Sequence, residues 1–416
     1  MYINISDYNT YYYIFQDVFK YIIKFWLTLY KKDRKEMMKM KPYLKRAWAE
    51  VSLSQLKTNV GIIKSLNSPD TKIMAVVKAD AYGHGEEPIC RCLAEECGIG
   101  YFAVSNLDEA IAVRNFCPDA EILILGYTPP EYAHEIVQYN IIQGIVSTEY
   151  AEMLVRNISE PLRCHIKIDT GMGRIGLKHD TPEACAEEIE NMLKINNLSI
   201  EGIYTHFAVA DSDSPDNIAY TDRQEKFICD TYDILENHGI NLPHVHFMNS
   251  AATCYRNNPK STLSRAGIIL YGLHPDISLD IPDGLEPVMS VKAVVSHVKT
   301  VSRGDCISYG RTFTADREMK IATVTIGYAD GYSRLLSSKG EILVHGKRCK
   351  IVGRVCMDQL MIDVSDIEVK SGDIVTLIGK DGDDCITADE LASLYGTIGY
   401  EVVCGISKRV PRIYID

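Results

Sequence analysis

The chain has 416 residues, 46% of them hydrophobic and 24% charged, with a formal net charge of −12 at pH 7. That length holds two domains, or one barrel plus a smaller module, and the composition is that of an ordinary globular protein. The negative balance argues against a nucleic-acid or anionic-membrane partner and suits a protein that handles small molecules.

Thirteen cysteines, odd in number and scattered without a pair of CxxC units, speak against a structural zinc site or a secreted disulfide framework. Reduced thiols in a cytoplasmic protein fit better, and no metal site is expected. Residues 1–43 form a leader unlike the rest. Its aromatic stretch YYYIFQDVFKYIIKFWLTLY (11–30) is interrupted by Gln16, Asp17, Lys20 and Lys24. The apolar run is therefore too short for a membrane span, and an amphipathic helix or a non-native extension is expected, with translation starting near Met37, Met38 or Met40. No cleavage site of signal-peptide type follows it.

From 44 to 278 strand-like runs alternate with helical stretches. The strands read KIMAVVKA (72–79), YFAVSN (101–106), EILILG (121–126), IIQGIVS (141–147), RCHIKID (163–169), IEGIYTHF (200–207), HVHFMNS (244–250) and SRAGIIL (264–270). Helices are expected at 86–97, 107–116, 129–139, 181–195 and 219–237, with Thr181-Pro182-Glu183 as a strong start signal. Eight such units predict a (β/α)8 TIM barrel, with a doubly wound open sheet as the rival. GMGRIG (171–176) fits a dinucleotide-binding pattern, but it follows the fifth strand and opens no helix, so it reads as loop glycines. From 279 to 416 the strands continue without intervening helices, apart from TADELASLYG (387–396), which predicts a mainly β C-terminal domain.

Barrel chemistry gathers at the carboxyl ends of the strands. Those ends carry Lys78; Lys167, Asp169 and Arg174; His206; Asn249 and Ser250; and Arg265 with Gly267 and Ile268. Each has a plain reading. Lys78 is either a snorkelling surface lysine or a nucleophile, because an unused buried ammonium is costly. His206 alone is as well explained by a structural hydrogen bond. Together they make a cationic, polar ring that suits a phosphorylated ligand held by Ser250, Tyr82 and the backbone at Gly267 and Ile268. A lysine that can form a Schiff base with an aldehyde, beside a phosphate site, describes pyridoxal phosphate.

Nine motifs in order carry a family resemblance: AVVKADAYGHG, KIDTGMGRIG, THFA, NSAA, RAGIILYG, SYGRTF, GYADGYSR, GRVCMDQLMIDV and YEVVCGISKRVPR. From about Leu44 to its end the chain resembles the bacterial alanine racemases. The resemblance implies a pyridoxal-phosphate-dependent isomerase that interconverts L- and D-alanine by two-base proton transfer and supplies D-alanine for peptidoglycan. A serine or other amino-acid racemase on the same scaffold is the alternative. Lys78 would bind the cofactor covalently and serve as one base, and Tyr309 would be the other. Tyr82, Ser250, Gly267, Ile268 and Tyr400 would hold the phosphate, with Asn249 beside them, Arg265 at the pyridine nitrogen and His206 at the ring. Arg174 and Met357 would hold the substrate carboxylate, and Tyr328, Arg334 and Arg354 would line the entrance. The resemblance also implies a homodimer in which Tyr309 and Met357 come from the partner.

Two of these positions have a logic of their own. A guanidinium only donates, so Arg265 keeps the pyridine nitrogen unprotonated and the cofactor a weak electron sink; a decarboxylase on this scaffold would be expected to carry a carboxylate there. Lys167 is either salt-bridged to Asp169 or carbamylated, in which case its negative charge pairs with Arg174. Ala266, where proline is common in the family, is the main departure within the motifs.

Overall fold

A computed structural model describes residues 46–416 apart from residue 157, so the expected leader lies outside the described residues. Nineteen strands follow in chain order. They are β1 (Ala47–Ser52), β2 (Lys72–Val76), β3 (Tyr101–Val104), β4 (Glu121–Ile124), β5 (Ile142–Ile145), β6 (Leu162–Lys167), β7 (Leu198–Tyr204), β8 (His244–His246), β9 (Leu263–Ala266), β10 (Met289–Val301), β11 (Cys306–Ile307), β12 (Phe313–Thr314), β13 (Met319–Val324), β14 (Glu341–Val344), β15 (Lys347–Lys350), β16 (Leu360–Asp363), β17 (Ile374–Asp381), β18 (Asp384–Ile386) and β19 (Arg412–Ile415).

Strands β2 to β9 make one parallel sheet in the order β8-β7-β6-β5-β4-β3-β2-β9. It closes on itself, since Met248 just past β8 bridges Ser264 of β9 in parallel and the Arg265 N–H reaches the Met248 carbonyl at 3.0 Å. The eight expected strands are therefore the eight barrel strands, and the open-sheet rival is excluded. Each observed strand is shorter than its apolar run, because the last residues of the run turn outward into the mouth. GMGRIG forms a loop.

The helices follow their sequence signals. Leu107–Phe116 starts on Asn106, whose side chain accepts from the Glu109 N–H, and Pro182–Met192 starts on Thr181, with proline in its first turn. The expected helix 86–97 changes character midway: Glu86–Arg91 is α, and Cys92–Glu96 is a π turn. Helix Leu53–Leu66 was not anticipated, although Ser52 caps it and Leu56, Val60 and Ile63 mark one apolar face.

Strand β1 lies within the span assigned to the barrel but pairs antiparallel with β10 and parallel with β19. It is thus a central strand of the nine-stranded C-terminal sheet, whose main path runs β15-β14-β17-β10-β1-β19. In β10 buried and half-buried residues alternate through its first half, the pattern of a sheet with one face on the core. One large apolar core runs through barrel and sheet. A small separate cluster of Val301, Ile307, Ala315, Met319, Ile321 and Val352 lies beneath the β11–β12 hairpin. Among the described residues no helix is long and apolar enough to cross a membrane.

Asn59 ties these parts together. It is fully buried, its amide gives hydrogen bonds to the Leu270 and Glu286 carbonyls at 3.0 and 2.9 Å, and its oxygen accepts from the Glu286 N–H at 3.2 Å. Replacing Asn59 by Leu should cost about 1–3 kcal/mol for each buried backbone group left without a partner. Urea unfolding of the full chain checks this; an unchanged midpoint would show that the backbone finds other partners.

Candidate active site

The carboxyl ends of the barrel strands surround a cavity of about 380 Å3. Its walls include Lys78, Tyr82, Lys167, Arg174, His206, Asn249, Ser250, Arg265, Gly267 and Tyr400, so ten of the expected site residues meet in one place. The Ile268 side chain is fully buried and does not line it.

Lys78 enters the cavity because of an unusual backbone. Ala79, Asp80, Ala81 and Tyr82 all have φ between 52° and 57°, and Gly83 follows at 79°. A left-handed turn of four non-glycine residues costs about 1–2 kcal/mol per residue. The surroundings hold it. Glu109 accepts from the Ala79 N–H at 2.8 Å and from the Ser105 N–H at 2.7 Å, and Asp80 accepts from the Glu86 N–H. His84 Nδ1–H donates to the Ala81 and Tyr82 carbonyls, and burial pushes its pKa down to about 4, so the ring is neutral. Arg412 and Tyr414 of β19 donate to the Gly83 and His84 carbonyls. The glycines admit that grip: a Cβ on Gly83 would lie 2.4 Å from the Val403 carbonyl oxygen, and one on Gly85 would lie 1.9 Å from the Tyr414 hydroxyl. Lys78 itself sits below the ordinary lysine range, chiefly through burial and next through the charge of Arg174.

Arg265 stands at the end of β9, 4% exposed. One terminal nitrogen donates to His246 Nδ1 and the His246 carbonyl, both at 2.9 Å; the other donates to the Thr205 carbonyl at 2.7 Å and His206 Nδ1 at 3.4 Å. Because a guanidinium never accepts, His246 Nδ1 must be bare and its Nε2 must carry the proton. That proton goes to His165 Nδ1 at 2.9 Å. A column of neutral histidines therefore runs down the barrel bore, with Tyr204 stacked flat on His246 at 4.9 Å. Burial holds His165 at about 3 and keeps His206 and His246 well below the ordinary histidine range. Arg265 comes down to about 10 and is still protonated at pH 7.

Two residues beyond Arg265, a Cβ on Gly267 would meet the Tyr82 hydroxyl at 2.8 Å and the Ser250 hydroxyl at 3.3 Å. The Gly267 N–H already donates to Ser250 at 2.9 Å, and the Tyr400 ring lies 6.1 Å from that of Tyr82. Asn249 caps the short helix Ser250–Tyr255 by accepting from the Ala252 N–H. This is a cradle of hydroxyls and N–H groups around a point that only glycine leaves open.

Lys167 is 2% exposed and its Nζ has no hydrogen-bond partner. It lies 5.1 Å from the Tyr204 ring centroid, and burial, then Arg265 and Arg174, drive its pKa well down. Asp169 does not pair with it; that carboxylate accepts from the Gly171 and Gly173 N–H groups and so closes its own loop. Of the two readings of Lys167, the salt bridge is thus absent.

Five expected residues stand elsewhere. Tyr309 is 71% exposed on the turn between β11 and β12, flanked by Ser308 and Arg311 at φ 69° and 50°. The Ser308 hydroxyl donates to the Arg354 carbonyl at 2.7 Å, and Gly310 lies against the Arg354 guanidinium. Met357 and Tyr328 are exposed and share the turn in which the Tyr328 N–H donates to Cys356 and the Ala329 N–H to Met357. Arg334 is exposed on the following 3-10 turn. None of the five lines this chain's own barrel cavity.

Sequence reasoning missed Asp211, which lines the cavity with a carboxyl raised chiefly by burial, and Glu109, His165 and His246. The alternation of β6 and β8 signalled the two histidines, as polar residues on the inward face of barrel strands. Asp211 sits in an irregular loop that gives no such signal.

The comparisons agree with this geometry. Family models for the alanine racemase N-terminal and C-terminal domains match residues 51–275 and 288–414. The chain is 42% identical over 374 residues to an alanine racemase of Methanococcus maripaludis, covering 88% of this chain and 98% of that one. It is 43% identical over 373 residues to the alanine racemase of Desulfovibrio desulfuricans, at 89% and 98% coverage. Among solved structures, the alanine racemase of Bacillus anthracis with bound L-Ala-P superposes with a TM-score of 0.83 at 39% identity, over 90% of this chain and 96% of that one. That of Clostridium difficile gives 0.82 at 38% identity, over 90% and 97%.

Removing the Glu109 carboxylate by Glu109→Ala should loosen the left-handed turn. Amide hydrogen exchange should then rise across 79–86 and at Ser105, with β6 and β7 unchanged; equal protection in both chains would mean that Glu109 is not what holds the turn. On its motifs, its two matched domains and its fold, the chain belongs to the alanine racemase family.

Proposed function

We propose that the protein is a pyridoxal-phosphate-dependent alanine racemase that interconverts L- and D-alanine and supplies D-alanine for peptidoglycan. The observation that carries the reading is the pairing of Lys78 and Arg265 in one cavity. Lys78 Nζ has no hydrogen-bond partner among the described residues, and neither has Arg265 Nε, although both terminal nitrogens of that guanidinium are committed.

The residues fit the cofactor. Lys78 offers an amine to its aldehyde, Arg265 a donor to its ring nitrogen, and Tyr82, Ser250, Gly267, Ile268 and Tyr400 the donors for its phosphate, with His206 and Asn249 alongside. Bound there, pyridoxal phosphate supplies an electron sink that weakens the α C–H bond of an amino acid. The remaining work falls to the chain. Arg174 holds the substrate carboxylate. Lys78, with its proton affinity lowered by burial, takes or returns the α-proton on one face. Tyr309 does the same on the other face, which inverts the centre.

Tyr309 and Met357 come from a second copy, because neither lines this chain's own cavity. The support is their exposure and their shared placement on the β domain with Tyr328, Arg334 and Arg354, which line the approach. Lys167 is the site of carbamylation: its neutral amine attacks carbon dioxide, loses a proton and becomes an anion between Arg174 and Arg265. The buried, unpartnered Nζ supports this. Thirteen free cysteines fit a reducing cytoplasm.

Purified protein given L-alanine in deuterated water should yield D-alanine with deuterium at Cα; bound cofactor without exchange would point to another substrate. Lys78→Ala should abolish activity, and Tyr309→Phe should lower it by about 10²–10⁴-fold. Mixing these two inactive variants should restore about one quarter of wild-type activity, since random pairing gives half the dimers one intact site of two. Failure of that complementation would place both bases in one chain.

The Lys78 amine is the reactive form, and burial and Arg174 both lower its pKa. Cofactor uptake by the apo protein should therefore rise with pH and level off below the ordinary lysine value of about 10.4. Arg174→Gln should move that midpoint upward; a downward shift would contradict the electrostatic assignment.

A further inference from the structure

Outside the barrel mouth the helix that follows the Lys78 turn holds a thiol pair. Its second half, Cys92–Glu96, is a π turn, closed by the Cys97 N–H to the Cys92 carbonyl at 3.1 Å. In an α-helix the side chains three and four apart share a face. The wider π turn stacks residue i under i+5 instead, and such turns occur frequently at functional sites. Here it sets Cys92 one turn below Cys97, near enough for each thiol to perturb the other.

The two sulfurs differ in surroundings. Cys92 is 2% exposed, whereas Cys97 is half-buried at the surface. Helix Leu53–Leu66 brings two lysines alongside. Lys64 Nζ donates to the Cys97 carbonyl at 2.6 Å, and Lys57 pairs with Glu96 at 2.8 Å. The neighbouring Cys92 thiol, and then the charge of Lys64, draw the Cys97 thiol below the ordinary thiol range, while the Cys92 thiol is held above it. A reachable thiol that ionises more readily than usual, backed by a buried second thiol, is the arrangement of an oxidisable pair with an attacking and a resolving sulfur.

We propose that Cys92 and Cys97 are a reversible modification site for hydroperoxides, closing to a disulfide across the π turn. The Cys97 thiolate attacks one peroxide oxygen, the O–O bond breaks and hydroxide leaves, which makes Cys97 a sulfenic acid. The Cys92 sulfur then attacks the Cys97 sulfur, and the departing hydroxide leaves as water with the proton from Cys92. Two thiols and one hydrogen peroxide become one disulfide and two waters: the sulfurs lose two electrons and the peroxide gains them. A small dithiol reverses the change. The bridge has to span Cα atoms about 4.4–6.8 Å apart, a reach that side chains stacked within one turn meet and those at opposite ends of a helix do not.

The sequence makes the test clean. Trypsin cuts after Arg91 and Arg114, and the peptide 92–114 contains these two cysteines and no others. The full-length holoenzyme is treated with one equivalent of hydrogen peroxide, alkylated with iodoacetamide and digested. The expected product is peptide 92–114 lighter by two hydrogens and unalkylated, returning to the doubly alkylated form after dithiothreitol. In Cys92→Ser the sulfenic acid should persist and take dimedone at Cys97. Peptide 92–114 alkylated on both cysteines, at a dose that already oxidises the exposed Cys404, would overturn the proposal. So would dimedone on Cys92 in Cys97→Ser with none on Cys97 in Cys92→Ser, since the order of attack would then be reversed.

Discussion

A buried guanidinium can give hydrogen bonds but never receive them, and the interior of this barrel is organised around that one fact. Arg265 sits where most barrels pack aliphatic side chains. Its four donated bonds settle the tautomer of His246, and His246 in turn settles that of His165. Every ring in the bore must stay neutral for the arrangement to hold, and burial sees to that. With its terminal nitrogens anchored to strand carbonyls and to imidazoles, the arginine cannot swing away, and its remaining N–H keeps a fixed direction into the cavity. A lysine in its place would have neither the fork nor the permanence of charge.

The second constraint is the left-handed turn at 79–82. It stores conformational energy beside the lysine, and the acceptors, donors and close contacts around it come from three separate stretches: Glu109 of the next barrel helix, Val403 at the end of the chain, and Arg412 with Tyr414 in β19. Strain persists only where the surroundings over-determine it. The cost therefore reports how firmly the position of Lys78 is set. The hairpin that carries Tyr309 is built the opposite way, on its own small apolar cluster and with the aromatic ring facing outward.

Much of this was legible in the sequence, for identifiable reasons. Barrel strands buried on both faces leave continuous apolar runs, so all eight were visible, and the mouth residues fell at the ends of those runs. Thr181-Pro182 and the periodicity of 107–116 located helices because capping and amphipathicity are local. What stayed hidden depends on distant partners. Nothing near Ala47–Ser52 reveals that it pairs with β10 and β19, so it fell within the span 44–278 assigned to the barrel. Helix Leu53–Leu66 was overlooked because a buried asparagine, Asn59, interrupts its apolar face. The left-handed turn is spelled Ala-Asp-Ala-Tyr, with no glycine to announce it, and the loop position of Asp211 has no periodic signal at all.

The placement of β1 carries a consequence for how the molecule is made. Its parallel neighbour β19 lies far along the chain, so β1 cannot complete its pairing until the residues of β19 have been made. The same late strand supplies Arg412 and Tyr414, which grip the loop after Lys78. A nascent barrel can close its eight strands while Lys78 still lacks part of its support. The support of the Lys78 turn is thus completed only when β19 is in place, and a chain lacking Arg412 and Tyr414 would keep its barrel strands yet hold that turn less firmly.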